Sequence, residues 1–289
     1  MKIQKIGIVG AGTMGQGLAA AMAGKGVEVI LLDRTEQDLE HAKLGLELSL
    51  DHRLAKWGIT EAEKKSILSR IVLGTNVSLL RDCEVVIESI WENLEDKIEL
   101  LLAIEKEVGP EALLATNTST LSITELAAQT AHPERVIGLH FHFPVDRREL
   151  VEVVRGLKTS ERTVESAYRF LEALDKKAVQ VFESPGFITT RLMLPLINEA
   201  VLIYAEGVAT AEDIDKAMKH GFGFHIGPLE LADRFGLDTV VDMLEAMFHE
   251  TTDPRYRPAA YLRKLVRGGL LGTKVRKGFF QYDEWGERA

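Results

Sequence analysis

The sequence predicts an α/β fold in two parts, a doubly wound, mostly parallel sheet followed by an all-helical domain. Three observations carry that reading. Apolar runs alternate with helical patterns over the first two-thirds of the chain, and most runs are continuous and rich in β-branched residues. Such runs suit strands covered by helices on both faces. A glycine-rich turn, Gly10-Ala11-Gly12-Thr13-Met14-Gly15, joins the first run to the first helical pattern. After Ser184-Pro185-Gly186 the strand signals stop, so a boundary is expected there, dividing residues 1–184 from 185–289.

Taken in order, strands are expected over 3–9, 27–32, 71–73, 85–88, 113–115, 136–140, 150–154 and 178–181. Thr35 precedes an acidic first turn, Glu36 and Asp38, which starts a long charged helical stretch to Ser69 with a break at Gly58. That stretch reads as a helical pair projecting from the sheet. Gly109-Pro110 ends the helix that begins near Leu94, and Ser122 lies three residues before Glu125, the spacing of a capping box. In the second part, helices are expected over 187–206, 212–219, 228–250 and 258–267. Pro228 and Pro258 fall at first-turn positions, where a missing N–H costs nothing. Pro195 should kink its helix or break it. The only candidate strand there is 278–282.

The glycine turn has a chemical reading. Gly10 permits the tight turn, Gly12 lets backbone approach a pyrophosphate, and Gly15 lets helix pack close to strand. Thr13 and Met14 then open a helix whose free N–H groups and positive dipole end suit phosphates. Asp33 closes the second strand, where a carboxylate accepts ribose hydroxyls. Strand, turn, helix, strand and acid together read as a Rossmann-type dinucleotide site, against an incidental glycine turn.

Composition narrows the class. Apolar residues make up 46% of the 289 and charged residues 27%, with a net charge of −9. That is ordinary globular composition, and the negative charge argues against nucleic acid or an anionic membrane as partner. The single cysteine, Cys83, reads as a buried thiol without an intrachain disulfide. The chain runs straight into its first strand with no signal peptide and no apolar run long enough for a bilayer, so a cytoplasmic location is expected.

Three polar residues lie at or near strand ends, Ser119, His140 and Glu152. Imidazole exchanges protons near neutrality, and a buried carboxylate fixes its tautomer. Beside a dinucleotide, such a pair can take a hydroxyl proton, with Ser119 bonded to the same oxygen. Each residue alone also reads as a packing or capping residue.

The whole chain resembles the 3-hydroxyacyl-CoA dehydrogenase family, especially its short 3-hydroxybutyryl-CoA type. The matching segments are Gly10-Ala11-Gly12-Thr13-Met14-Gly15, Glu88-Ser89-Ile90-Trp91-Glu92-Asn93 with Lys97, Thr116-Asn117-Thr118-Ser119, Gly138-Leu139-His140-Phe141, Leu150-Val151-Glu152-Val153 and Pro185-Gly186-Phe187-Ile188. In the second part they are Asn198-Glu199-Ala200, Gly227-Pro228-Leu229-Glu230-Leu231-Ala232-Asp233 and Lys277-Gly278-Phe279-Phe280. The resemblance implies NAD as cofactor and an acyl-CoA thioester as substrate. It implies His140 as base, Glu152 as its partner and Ser119 at the substrate hydroxyl. Glu92, Lys97 and Asn117 then line the nicotinamide side, Asp33 favours NAD over NADP with Arg34 beside it, and Ser49 and Lys56 meet the CoA. A homodimer through the helical domain is implied, and no metal enters the reading.

The chain departs from the family pattern in three places. The catalytic loop, normally His-Phe-Phe-Asn-Pro, is His140-Phe141-His142-Phe143-Pro144, so Phe143 replaces asparagine. Arg148, after Arg147, stands where methionine is usual, and Thr190 replaces an asparagine before Arg191. Kept proton-transfer residues with altered neighbours point to a changed substrate. Arg147 and Arg148 suit a carboxylate on the acyl chain, which arginine grips in a bidentate fork, against an ordinary solvated loop. The alternatives are a dehydrogenase of another 3-hydroxy acid (carboxylate-bearing, free or on a carrier protein) and a non-catalytic cofactor-binding protein.

Overall fold

The structure is a computed structural model that describes residues 3–289. It divides into two compact units, the first ending at Phe187 and the second running Ile188–Ala289.

The first unit holds one sheet built from β1 (Lys5–Val9), β2 (Glu28–Leu32), β3 (Ile71–Gly74), β4 (Val85–Glu88), β5 (Leu113–Thr116), β6 (Val136–Phe141), β7 (Leu150–Arg155) and β8 (Lys177–Phe182). Their spatial order is β3-β2-β1-β4-β5-β6-β7-β8. Every pair is parallel except β6 with β7. The order reverses between β1 and β4, so the carboxyl ends there flank an open crevice, the usual ligand position in such sheets. Side-chain alternation then fills both faces. Ile6, Ile8, Val29 and Leu31 face one core with Leu18, Leu139 and Phe170, while Val9, Ile30, Leu32, Val86 and Leu114 face the other with Ile104.

The helices α1 (Thr13–Gly24), α2 (Glu36–Ala55), α3 (Glu61–Leu68), α4 (Leu94–Glu107), α5 (Ile123–Ala128) and α6 (Glu161–Ala173) join the strands. Several start on a hydroxyl or amide cap that accepts a backbone N–H, among them Thr35, Thr60, Asn93, Ser122 and Ser160. The full reciprocal capping box forms at Thr60 and Glu63. The α2–α3 pair does not project along its whole length. Leu39, Ala42, Leu46 and Leu50 of α2 are buried in the main core, whereas Trp57, in the turn after α2, is 95% exposed.

The second unit is helical, with α7 (Thr189–Ala205), α8 (Ala211–Phe222), α9 (Pro228–Phe235), α10 (Leu237–Thr251) and α11 (Ala260–Arg267) around Leu194, Ile197, Val201, Leu229, Val240, Leu244 and Leu262. Three expectations are corrected there. The helix expected over 228–250 is two, broken at Gly236, whose φ of +93° only glycine adopts readily. Pro258 lies outside α11, because Asn198 holds the preceding turn through Arg257 O at 3.0 Å and Ala259 N at 2.9 Å. The segment 278–282 makes only isolated bridges, since the buried Asp233 carboxylate takes Phe279 N, Phe280 N and the Tyr282 hydroxyl instead. Pro195 sits inside an uninterrupted α7. The Arg191 carbonyl, four residues before Pro195, accepts from the Tyr256 hydroxyl at 3.5 Å. None of the described helices is long and apolar enough to cross a membrane.

Candidate active site

At the first crevice wall, Gly10 has a φ of +106°, and a Cβ there would lie 2.4 Å from Ser89 O. Gly15 packs so close that a Cβ would meet Gly10 O at 1.8 Å. Gly12, at the N-cap of α1, has open space where its Cβ would be, and no side chain caps the helix start. A bare helix N-terminus beside an open glycine is a place that fits a pyrophosphate. Asp33 is held at the end of β2 by Ala11 N on Oδ2 and Arg34 N on Oδ1, both at 2.7 Å. A carboxylate has lone pairs left for ribose hydroxyls after those two bonds. The residues present therefore fit a dinucleotide.

At the ends of β4 and β5 lies a buried ion pair. Lys97 Nζ donates to Glu88 Oε1 at 2.5 Å, with the two side chains 1% and 0% exposed. Glu88 also accepts from Ile90 N at 2.7 Å and Thr116 Oγ1 at 2.6 Å. Lys97 lies 3.5 Å from Glu92 Oε2, and Glu92 is 37% exposed. Glu92 Oε1 accepts from the Thr118 hydroxyl, from Ser119 N at 2.8 Å and from Thr120 N at 3.0 Å. Burial works to raise the Glu92 pKa, but the Lys97 ammonium and these hydrogen bonds outweigh it and hold the carboxylate below its usual range. One carboxylate thus fixes the 118–120 turn. Asn117 Oδ1 accepts from Phe141 N at 2.9 Å, tying that turn to β6.

The antiparallel pairing of β6 with β7 sets His140 directly opposite Glu152. Nδ1 of His140 lies 2.7 Å from Glu152 Oε2, and Nε2 lies 3.2 Å from Ser119 Oγ. His140 is 6% exposed and Glu152 fully buried. Nδ1–H of the neutral ring donates to the Glu152 carboxylate, so Nε2 keeps its lone pair and can accept a proton. The Phe187 ring packs against His140 at 5.7 Å between centroids.

His142 follows on the same face. Its ring meets that of His140 edge-on at 4.6 Å, and its Nε2 lies 3.8 Å from Glu152 Oε2. That nitrogen is buried with no hydrogen-bond partner. Burial pushes the His142 pKa down to about 4, helped by the nearby His140 ring and the Arg148 guanidinium and opposed by Glu152. His142 is therefore neutral near pH 7.

Ser119, His140 and Glu152 come together, with Glu92 of the loop after β4 bonded to Ser119 N and Asn117 of the loop after β5 bonded to Phe141 N. Lys97 is enclosed and reaches the crevice only through Glu92. Arg148 is exposed on the β6–β7 loop, where its carbonyl accepts from Lys176 Nζ at 2.8 Å. Ser49 lies on the exposed side of α2 and Lys56 just past its end. Arg53 of the same helix stands 3.5 Å from Asp146 in the His140 loop. Thr190 is buried in the first turn of α7, in the second unit. Sequence reasoning passed over Glu88 and His142. The strand expected over 136–140 stops short of His142, which follows the end of β6, so its place beside Glu152 shows only in the structure.

Comparison with known proteins gives a consistent picture. Residues 5–184 match the model of the "3-hydroxyacyl-CoA dehydrogenase, NAD binding domain", and residues 186–282 that of the "3-hydroxyacyl-CoA dehydrogenase, C-terminal domain". A probable 3-hydroxybutyryl-CoA dehydrogenase of Bacillus subtilis is 42% identical over 98% of this chain and 99% of its own. The crystal structure of FadB2 from M. tuberculosis superposes with a TM-score of 0.94 at 36% identity, covering 98% of this chain and all of that one. The (S)-3-hydroxybutyryl-CoA dehydrogenase PaaH1 from Ralstonia eutropha gives 0.87 at 41% identity, with 98% and 100% covered.

Proposed function

The chain belongs to the 3-hydroxyacyl-CoA dehydrogenase family, and from that premise we propose that His140, Glu152 and Ser119 carry the proton transfer of its reaction. The enzyme interconverts an L-3-hydroxyacyl-CoA of the 3-hydroxybutyryl type and its 3-oxoacyl-CoA, with NAD as cofactor. The observation that carries the assignment is the His140 ring, bonded through Nδ1 to Glu152 at 2.7 Å with Nε2 turned to Ser119 at 3.2 Å. When bound, NAD supplies the acceptor for the hydride of the carbinol carbon. Gly10, Gly12, Thr13, Met14, Gly15 and Asp33 would hold it, with Arg34 next to Asp33. Ser119 Oγ orients the substrate hydroxyl, His140 Nε2 takes its proton, and buried Glu152 stabilises the imidazolium that forms. In reduction, His140 returns the proton to the carbonyl oxygen.

Glu92 and Asn117 meet the nicotinamide side, and Lys97 acts as a positioning residue behind Glu92. Ser49 and Lys56 meet the CoA, and Arg148 and Thr190 the acyl part. Residues 1–184 serve NAD, while residues 185–289 serve the substrate and a homodimer contact. A cytoplasmic site suits the lone thiol of Cys83, which burial raises to about 11 and keeps unreactive.

The direct test follows NADH consumption with acetoacetyl-CoA, longer 3-oxoacyl-CoAs, a dicarboxylic thioester and free 3-oxo acids. Efficient turnover of a free acid with none of the CoA thioesters overturns the substrate assignment. Asp33→Ala should weaken NAD binding about tenfold or more, since a hydrogen bond to a charged group contributes roughly 1.5–3 kcal/mol. It should also narrow the preference against NADP, whose 2′-phosphate faces a like charge in the parent enzyme. Equal wild-type efficiency with both cofactors contradicts this role for Asp33.

Arg148 tests the acyl group. Arg148→Met should leave neutral 3-oxoacyl chains nearly unaffected. On a chain ending in a carboxylate it should raise KM about tenfold or more, by loss of a charge-assisted pair of roughly 1.5–3 kcal/mol. An unchanged KM for the dicarboxylic thioester removes Arg148 from the site.

A further inference from the structure

We infer that His140, His142 and Glu152 form a binding site for a zinc-class divalent transition ion, and that the ion arrests the enzyme. Binding stands on the geometry alone, whereas the arrest rests on the function proposed above.

The strands build the donor set. The β6–β7 register sets Glu152 opposite His140, and His142, the first residue past β6, lays its ring against that of His140 at 4.6 Å. His140 Nδ1 and His142 Nε2 lie 2.7 and 3.8 Å from Glu152 Oε2, and one ligand atom of each residue lies within 4.8 Å of the others. Tetrahedral zinc with bonds of about 2.0–2.2 Å spaces its donors by roughly 3.3–3.5 Å, so each side chain shifts by about an ångström or less. Two imidazoles and one carboxylate are a known zinc set that leaves the fourth position to water.

A second observation points the same way. The buried Nε2 of His142 has no hydrogen-bond partner, and at 3.8 Å it is too far from Glu152 to make one. A buried nitrogen left unpaired is costly and calls for an explanation. A metal ion answers it, because an imidazole nitrogen is a metal ligand and this one stands 3.8 Å from a carboxylate oxygen that can share the ion. The His142 side chain is 23% exposed, which opens a route for the ion. Among the described residues, no other set of three such ligands comes this close together.

The arrest follows from proton placement. An ion on Nδ1 of His140 occupies the position of the proton now shared with Glu152. The neutral ring must then carry its one proton on Nε2, the atom 3.2 Å from Ser119 Oγ. An N–H there cannot accept the substrate's hydroxyl proton, and it is too weak an acid to protonate the carbonyl in reverse. The ion stops both directions by fixing the wrong tautomer.

The test titrates Zn²⁺ against the cofactor-free full chain with a competing chromophoric zinc indicator, with Co²⁺ visible absorption as a second readout. Wild type should bind one ion at micromolar concentration with a tetrahedral Co²⁺ spectrum. His142→Phe and His142→Gln, checked for folding by thermal melting, should each bind at least about tenfold more weakly. Zn²⁺ should inhibit turnover reversibly to EDTA, and each variant should shift half-inhibition by a similar factor. Equal binding by wild type and a folded variant overturns the site, as does no wild-type binding at micromolar Zn²⁺. Full turnover with the site saturated overturns the arrest. If no thioester is turned over, the functional reading fails while the binding measurement still decides the site.

Discussion

Replacement of His140 by glutamine should lower turnover by about 10²–10⁴-fold, the range that general acid–base transfer supplies. The amide keeps much of the ring's shape and polarity but cannot take up a proton near neutrality. NAD affinity should change little, because the glycine turn and Asp33 lie on β1, α1 and β2, and His140 ends β6. Steady-state kinetics with equilibrium NAD titration separates the two quantities. Near-normal turnover in His140→Gln shows that another group is the base. Glu152→Gln should fall in the same direction, since it removes the charge that balances the imidazolium.

Lys97→Met should cost about 3–5 kcal/mol of stability, because it strands a buried charge without its partner. Glu88 is wholly enclosed, and its other bonds, to Ile90 N and Thr116 Oγ1, do not cancel a full negative charge. Urea unfolding reads the loss directly. Lys97→Met combined with Glu88→Gln should regain much of it, since neither charge is then left alone. A single variant within about 0.5 kcal/mol of wild type, the size of an ordinary surface change, shows that the pair is not the constraint. Activity should suffer as well, because Lys97 also braces Glu92, which fixes Ser119 and Thr120 by their backbone N–H groups.

Local sequence determined a great deal of this protein. The glycine turn, the apolar runs and the caps at Thr35 and Ser122 are short-range signals, and each reads out its own conformation. They were enough for the two-part α/β architecture and a dinucleotide-binding first part. Position at or near strand ends singled out His140, Glu152 and Ser119, and the resemblance then implied their roles. Other features depended on residues far apart in the chain. Gly236 breaks a periodic apolar stretch that otherwise reads as one helix, and Pro195 stays inside its helix with the Tyr256 hydroxyl donating to the Arg191 carbonyl. The pairing of Glu88 with Lys97 needs a strand end to meet a helix face nine residues on. The most consequential case is the eight-residue link from β6 to β7, too short for a parallel crossover. It forces an antiparallel return, and that return places Glu152 beside both His140 and His142. Spacing along the chain names the residues that can do chemistry. Only the register between strands decides which nitrogen faces which oxygen, because a one-residue slip would turn every side chain to the opposite face.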